Sequence, residues 1–137
     1  MPREAIAELP EWSPGTVAVL STGAGAPHAI PISTGVRGGP ATVLLALARR
    51  RESLARLRED RRCALTVLAA GVAVTAHATA AVVEEGERVA LVRLDVDSVQ
   101  DHGQPTFEVE AGVRWSWTDA EAQRADAELR SALRALG

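Results

Sequence analysis

The sequence predicts a mainly β domain of the α+β class, an antiparallel barrel with a short internal helix and a C-terminal helix. Three observations support this fold class. Apolar runs of strand length are separated by turns rich in Gly and Pro, as in an antiparallel meander. Only one helical pattern interrupts the strands, whereas a parallel sheet needs a long crossover between strands. Closure of about eight strands into a barrel removes exposed edges and is therefore favoured over an open sheet.

Eight runs along the chain are predicted to be strands. Clusters of turn-forming residues separate them, and one such cluster contains Gly35, Gly38, Gly39 and Pro40. The predicted strands cover residues 16–21, 28–33, 41–47, 63–68, 72–83, 89–96, 106–110 and 113–118.

Two short helices are predicted before and within the strands. Residues 3–9 carry apolar residues among charges and could form a helix that ends before Pro10. Leu54 and Leu57 lie three residues apart among charged residues, which predicts one or two helical turns. This internal helix should begin near Arg51 or Ser53.

The C-terminal helix has the clearest pattern. Thr118 or Asp119 is the candidate N-cap, and Glu121 follows closely, as in a capping box. One face carries an apolar stripe that would pack on the barrel. The stripe consists of Ala122, Ala125, Leu129, Ala132, Leu133 and Leu136.

Length and composition indicate one domain covering residues 1–137, because a chain of this size can bury a core without staples. The single cysteine, Cys63, excludes an intrachain disulfide and is expected to be a small buried hydrophobe rather than a reactive thiol. No run of about 18 apolar residues predicts a membrane span. The first residues lack the apolar region of a secretory signal, so we expect a cytoplasmic protein. The net charge of -3 gives no reason to expect nucleic acid.

Residue clusters typical of hydrolases and metal sites are missing from the sequence. His28, His77 and His102 share no metal-ligand spacing with one another or with Cys63, so no metal is expected. Neither a nucleophile elbow nor a phosphate-binding loop motif is present. The sequence therefore leaves any catalytic side chain unknown.

Two local features could bind a ligand. Arg49, Arg50 and Arg51 precede the internal helix, where guanidinium groups and unpaired helix N–H groups would favour an anion. The alternative is a solvated loop balanced by nearby carboxylates. Trp115 and Trp117 share a face of their predicted strand. They form either part of a core or interface, or a flat wall beside a planar ligand.

The order of these parts is similar to that of the pyridoxamine 5'-phosphate oxidase-like family, split β-barrels that bind flavin or deazaflavin. The opening strand, turn, Pro-His pair and Pro-containing strand carry the first part of the resemblance. The strand, basic loop, helix end and following strands carry the rest. The matching blocks are residues 15–22, 27–32, 44–53, 57–62, 63–68 and 76–83.

The resemblance implies a homodimer that binds FMN, or alternatively a deazaflavin coenzyme. It places the cofactor phosphate on the basic loop, at Arg49, Arg50, Arg51 and Ser53. It places the ring system against the second and third predicted strands, with contacts at His28, Ile30, Ile32 and Ser33 and with Trp117 as a wall from the other subunit.

Three functions stay open at this point. The first is a flavin-dependent oxidoreductase acting on a small-molecule substrate, in which the flavin performs the chemistry and the protein orients it. The second is a non-catalytic module that binds or senses flavin, deazaflavin or haem. The third is a dimeric barrel without a cofactor.

Overall fold

The computed structural model describes residues 5–6 and 8–136, with side chains from residue 8 onward. Within this range the chain forms a mainly antiparallel β structure with two helices. The elements are β1 (Ala5–Ile6), β2 (Ala18–Thr22), β3 (His28–Ile32), β4 (Val36–Gly39), β5 (Thr42–Ala48), α1 (Glu52–Glu59), β6 (Arg62–Ala69), β7 (Val72–Glu85), β8 (Val89–Asp101) and α2 (Ala120–Leu136).

The strands form one sheet in which every pairing is antiparallel. Its order is β3-β2-β6-β7-β8-β5-β4, and β1 also pairs with β8. The β7–β8 pairing shifts register between His77 and Ala78 and again between Val82 and Glu84. Such irregularities bend and twist a sheet, which lets it curl around a core. The predicted antiparallel barrel is therefore confirmed.

One hydrophobic core lies inside the curled sheet. Alternate residues of six strands point into it, because successive side chains of a strand face opposite sides. Leu20, Leu45, Leu65 and Val92, each from a different strand, are fully buried there. Leu54 and Leu57 of α1 join the same core, which fixes this short helix against the barrel.

Strand β5 is buried on both faces over most of its length. Val43 and Leu45 face the barrel core, whereas Leu44 and Ala46 face outward. Helix α2 covers that outer face through Leu133, which is fully buried. A second, smaller core therefore holds α2 to the outside of the sheet.

The start of α2 confirms the predicted cap. The Asp119 carboxylate accepts hydrogen bonds from the backbone N–H groups of Glu121 and Ala122, at 2.8 and 3.3 Å. The apolar stripe is only partly covered, because Ala125, Ala132 and Leu136 are exposed.

The sequence prediction was wrong for two strands near the C-terminal end. The predicted strands at 106–110 and 113–118 form no ladder among the described residues, apart from an isolated bridge between Gln104 and Phe107. Residues 108–117 instead form no regular secondary structure, and part of this segment contacts the β6–β7 turn. The Gly71 N–H donates to the Val109 carbonyl at 2.8 Å, and a Cβ on Gly112 would lie 2.5 Å from the Leu68 carbonyl oxygen.

Three other element predictions were corrected. Strand β4 lies where the glycines predicted only a turn. Ala5 and Ile6 belong to the predicted first helix but pair with β8, so tertiary pairing overrides the local pattern. Residues 3, 4 and 7 of that predicted helix lie outside the described residues. Strand β8 continues to Asp101, five residues beyond its predicted end, because β7 and β1 provide partners there.

Candidate functional site

A cleft of about 460 Å³ lies between the end of β3, the end of β5 and helix α2. Its walls are mostly apolar, with polar groups at a few positions. The residues that line it are Pro31, Ile32, Ser33, Thr34, Ala46, Leu47, Ala48, Arg51, Val89, Trp117, Ala122, Ala125, Asp126 and Leu129. Four of the nine predicted site residues meet here: Ile32, Ser33, Arg51 and Trp117.

The β3 wall of the cleft is a sheet edge, since among the described strands β3 pairs only with β2. Pro31 lies opposite Val19 and has no backbone N–H, so this pair cannot exchange hydrogen bonds in the ladder. Its neighbours Ile30 and Ile32 therefore bond toward β2, and the carbonyls of Pro31 and Ser33 point away from the sheet. An edge strand tolerates proline for this reason.

Thr34 ties the end of β3 to β5. Its hydroxyl accepts from the Ala46 N–H and donates to the Ala46 carbonyl, both at 3.1 Å. The Thr34 side chain thus satisfies backbone groups of β5 that lie beyond the end of the neighbouring strand β4. This contact holds the two ends of the sheet close together at the base of the cleft.

The three consecutive arginines take different positions. Arg49 approaches Glu85 at 3.5 Å, and Arg50 is exposed and lines no described cavity. Arg51 is the N-cap residue of α1, and its side chain lines the cleft. Within the described residues, the Arg51 guanidinium has no hydrogen bond or ion pair, so it is available to an anion in the cleft.

His28 and Ser53 lie together on the far side of the α1 start. The Ser53 hydroxyl is fully buried and lies 3.2 Å from His28 Nε2, while His28 Nδ1 lies 3.6 Å from a Glu52 oxygen. A hydrogen bond and the charge of Arg56, with a contribution from His28, lower the pKa of Glu52. This network fastens α1 to β3 and lines no part of the cleft.

Arg56 extends the same network to the hairpin between β2 and β3. Its guanidinium donates to the Ala24 carbonyl at 2.7 Å and also to the Ala26 carbonyl. The hairpin is therefore bound to α1. Ile30, the remaining predicted site residue, packs against the barrel core rather than lining the cleft.

An ion pair within α2 lies beside the cleft. Asp126 and Arg130 lie one helical turn apart, with Oδ2 and Nε separated by 2.7 Å and both side chains 11% exposed. Arg130 also donates to the outward-facing Ser33 carbonyl at 3.3 Å. The helix is thus linked directly to the edge of β3.

Sequence reasoning missed Thr34 and Asp126, although a polar residue directly after the Pro-containing strand was a usable signal for Thr34. Trp117 lines the cleft of its own chain, whereas the resemblance implied a wall from the other subunit.

No group of three potential metal ligands occurs in the part of the chain that the structure describes. Neither described helix is long and apolar enough to cross a membrane.

The fold and the cleft define a class, the split β-barrels of flavin reductases and pyridoxamine 5'-phosphate oxidase-like proteins. A putative pyridoxamine 5'-phosphate oxidase from Lactobacillus delbrueckii is similar in structure, with a TM-score of 0.61, 18% identity, and coverage of 72% of this chain and 98% of that one. The flavin reductase component of a bacterial two-component tryptophan halogenase has a TM-score of 0.58 and 13% identity, over 66% and 81% of the chains. The NADH:FAD oxidoreductase of Streptomyces globisporus C-1027 has a TM-score of 0.55 and 15% identity, over 75% and 87%.

The particular family follows from the sequence match. Residues 12–114 match the flavin reductase like domain family, and the chain belongs to that family. No curated protein matches the chain in sequence. The predicted relationship to split-barrel flavoproteins is therefore confirmed.

The residues of the cleft fit a flavin. The cleft volume of about 460 Å³ lies within the range of roughly 300–1,000 Å³ found for small-molecule sites. Val89 and Leu129 offer apolar surface for a ring system, and the β3 edge offers backbone groups. Arg51 provides a cation for a phosphate.

Proposed function

We propose that the protein is a flavin-dependent oxidoreductase that binds FMN in this cleft and passes electrons to a small-molecule substrate. Membership of the flavin reductase-like family supports the flavin and the reaction class. A bound flavin supplies the electron transfer itself.

The observation that carries this proposal is the position of Arg51 in the cleft. The cleft joins the edge of β3, the start of α1 and the inner face of α2 in one apolar space, and Arg51 is the single arginine among the described residues that line it. Because its guanidinium is unpaired among the described residues, a phosphate there gains a charge-assisted hydrogen bond at no cost to an existing ion pair.

The remaining cleft residues would orient the ring. Pro31 and Trp117 offer flat apolar surfaces on two sides, and the Pro31 carbonyl is free to accept a hydrogen bond. Leu129 of α2 and the apolar end of β5 keep water from the opposite side. None of these groups transfers a proton, so their role is to bind and position.

The experiment compares Arg51→Ala with Arg50→Ala. Both substitutions remove one exposed positive charge from the same loop, but only Arg51 lines the cleft. We expect Arg51→Ala to weaken FMN binding by about ten- to a hundredfold, as for one lost charge-assisted hydrogen bond. Arg50→Ala should change it less than about threefold. Binding is measured from the quenching of flavin fluorescence on titration.

Riboflavin separates the phosphate contact from general ring binding. It lacks the phosphate, so the native protein should bind it more weakly than FMN, and Arg51→Ala should leave its affinity unchanged. If both arginine variants weaken both ligands equally, the phosphate assignment fails. Bleaching of bound flavin by a reduced nicotinamide then distinguishes an oxidoreductase from a module that only binds flavin.

We further propose that the protein is a homodimer formed through the outer face of β2, β6 and β7. Val19, Ala64, Thr66, Leu68 and Thr75 form an uncharged centre of this face, with Arg62 and His77 toward one end, and Val19 and Leu68 are 38% and 47% exposed. An uncharged centre with charge only toward the margin is typical of an interface. A solution mass near 14.4 kDa by light scattering would contradict the dimer.

A further inference from the structure

A separate crevice of about 290 Å³ lies between the loop that precedes β2, the start of β4 and the last turn of α2. Trp12, Pro14 and Val36 form its apolar walls. The described residues that line this crevice are all different from those that line the proposed flavin cleft. Binding of a ligand in the crevice therefore does not depend on the flavin.

The aromatic wall of the crevice is held in position by the fold. The loop runs beside β4, where the Leu9 N–H donates a hydrogen bond to the Pro40 carbonyl at 2.8 Å. Trp12 Nε1 donates to the Gly35 carbonyl at 3.0 Å. The indole ring is half-buried, so part of its surface is open to the crevice. Because the ring is fixed before a ligand arrives, binding costs little conformational entropy.

Two arginines from distant parts of the chain line the same crevice. Arg37 of β4 is half-buried, and its Nε donates to the Leu9 carbonyl at 3.0 Å. This bond orients the planar guanidinium but leaves both terminal amino groups without a hydrogen bond or ion pair to any described residue. Arg134 of α2 is exposed and likewise has no such partner among the described residues.

The crevice carries an excess of positive charge. Glu11 is the one carboxylate among the described residues that line it, and it forms no ion pair with Arg37 or Arg134. Two like charges that face one space repel each other, and a bound anion offsets this repulsion. A single negative charge balances the crevice, since two guanidinium groups are opposed by one carboxylate. Guanidinium groups bind carboxylates through paired, charge-assisted hydrogen bonds.

We propose that this crevice binds a small monocarboxylate with a flat apolar body. The carboxylate lies between Arg37 and Arg134, and the apolar body packs against Trp12 and Pro14. An inorganic anion would satisfy the arginines but leave the apolar walls exposed to water. A neutral apolar molecule would cover these walls but leave both guanidinium groups without an anion. Only a ligand with both parts complements the whole crevice.

Benzoate is a probe that has both parts. Its binding is followed through the indole N–H signals in nuclear magnetic resonance spectra of the full chain, and the Trp12 signal is identified by its loss in Trp12→Phe. Trp115 and Trp117 do not line the crevice, so their signals report binding elsewhere. We expect a saturable shift of the Trp12 signal, with the other two signals unchanged at the same concentrations.

The decisive variant is Arg134→Gln, with Arg124→Gln as the matched control. Both arginines are exposed on α2, but Arg124 lines none of the described cavities. We expect Arg134→Gln to weaken benzoate binding about tenfold, through loss of one charge-assisted hydrogen bond, and Arg124→Gln to leave it unchanged. Arg37→Gln should weaken binding to a similar extent, and its amide can still donate to the Leu9 carbonyl.

Two other probes test the ligand class. Benzamide has the shape of benzoate without its charge, and inorganic phosphate has charge without an apolar body. Each should bind at least about tenfold more weakly than benzoate. Equal binding of benzamide would mean that the arginines do not recognise an anion, and equal binding of phosphate would mean that the apolar walls contribute nothing. Either result overturns the proposal.

The remaining outcomes are equally decisive. Absence of a saturable Trp12 shift, or equal benzoate affinities in the native protein and in Arg134→Gln, overturns the proposed site. A shift of the Trp115 and Trp117 signals without a shift of the Trp12 signal places benzoate in another cavity and also overturns it. The FMN affinity of Arg51→Ala bears on the flavin proposal alone, because Arg51 is not part of the crevice.

Discussion

Substitution of Leu133 tests how helix α2 is held to the barrel. Leu133 is fully buried against Leu44, Ala46 and Leu91 and is the main apolar anchor of the helix. Leucine to alanine removes three carbons, which at about 0.8 kcal/mol per buried methylene amounts to about 2.4 kcal/mol. The cavity left behind adds to this, and we expect a total of about 2.5–4 kcal/mol.

Leu136→Ala is the matched control, since it makes the same chemical change three residues later on a side chain that is 45% exposed. Its cost should stay below about 1 kcal/mol. Urea unfolding followed by far-ultraviolet circular dichroism measures both values. Because α2 forms one wall of the cleft, Leu133→Ala should also weaken FMN binding, whereas Leu136→Ala should not.

Loss of the anchor can release α2 without unfolding the barrel. Hydrogen exchange resolves this, because amides of α2 would then exchange faster while those of β6 and β7 stay protected. Equal effects of the two leucine substitutions on stability and on FMN affinity would refute the reasoning, since they would mean that burial of Leu133 does not hold the helix.

Two other predictions concern the backbone and the thiol. Gly112→Ala should destabilise the protein by about 1–3 kcal/mol, because its Cβ would meet a backbone oxygen at 2.5 Å. Gly23→Ala has open space around the new Cβ and should be nearly neutral in the same urea titration. Similar midpoints for the two variants would contradict this. Burial, with the charges of Asp60 and Asp97, raises the pKa of the Cys63 thiol from 9.0 to about 12. The folded protein should therefore react with a thiol reagent at pH 8 only after unfolding. Above pH 9 the thiol ionises in the unfolded chain but not in the folded protein. The free energy of unfolding should therefore fall as the pH rises from 9 toward 12. Immediate labelling of the native protein by the thiol reagent would contradict the burial of Cys63.

The sequence was sufficient for elements whose pattern and environment agree. Strands β5 and β6 and the Asp119 cap were predicted within one or two residues, because apolar periodicity and capping chemistry are local signals. The segment at 113–118 has the same alternation as a strand but meets no partner among the described residues. Pairing depends on where distant segments lie, and local alternation carries no information about that.

The candidate site was predictable in type but not in detail. The arginine run indicated an anion site, yet the sequence could not show that Arg51 lines the cleft while Arg49 approaches Glu85. The resemblance placed Ser53 at the phosphate, but Ser53 is buried beside His28, since α1 turns that side of the helix toward the barrel. Asp126 enters the site only because α2 docks across β5.

The proline in β3 has a further consequence, for how the folded protein behaves among its neighbours. A bare sheet edge is a template on which a strand of another chain can align, and such growth leads to aggregates. A strand joining β3 from outside would find no donor at Pro31, the fourth of the five residues of this edge. The same residue that leaves backbone carbonyls open to a small molecule thus interrupts the repeating pattern that an invading strand requires. Access for a ligand and resistance to aggregation at this edge are two effects of one side chain.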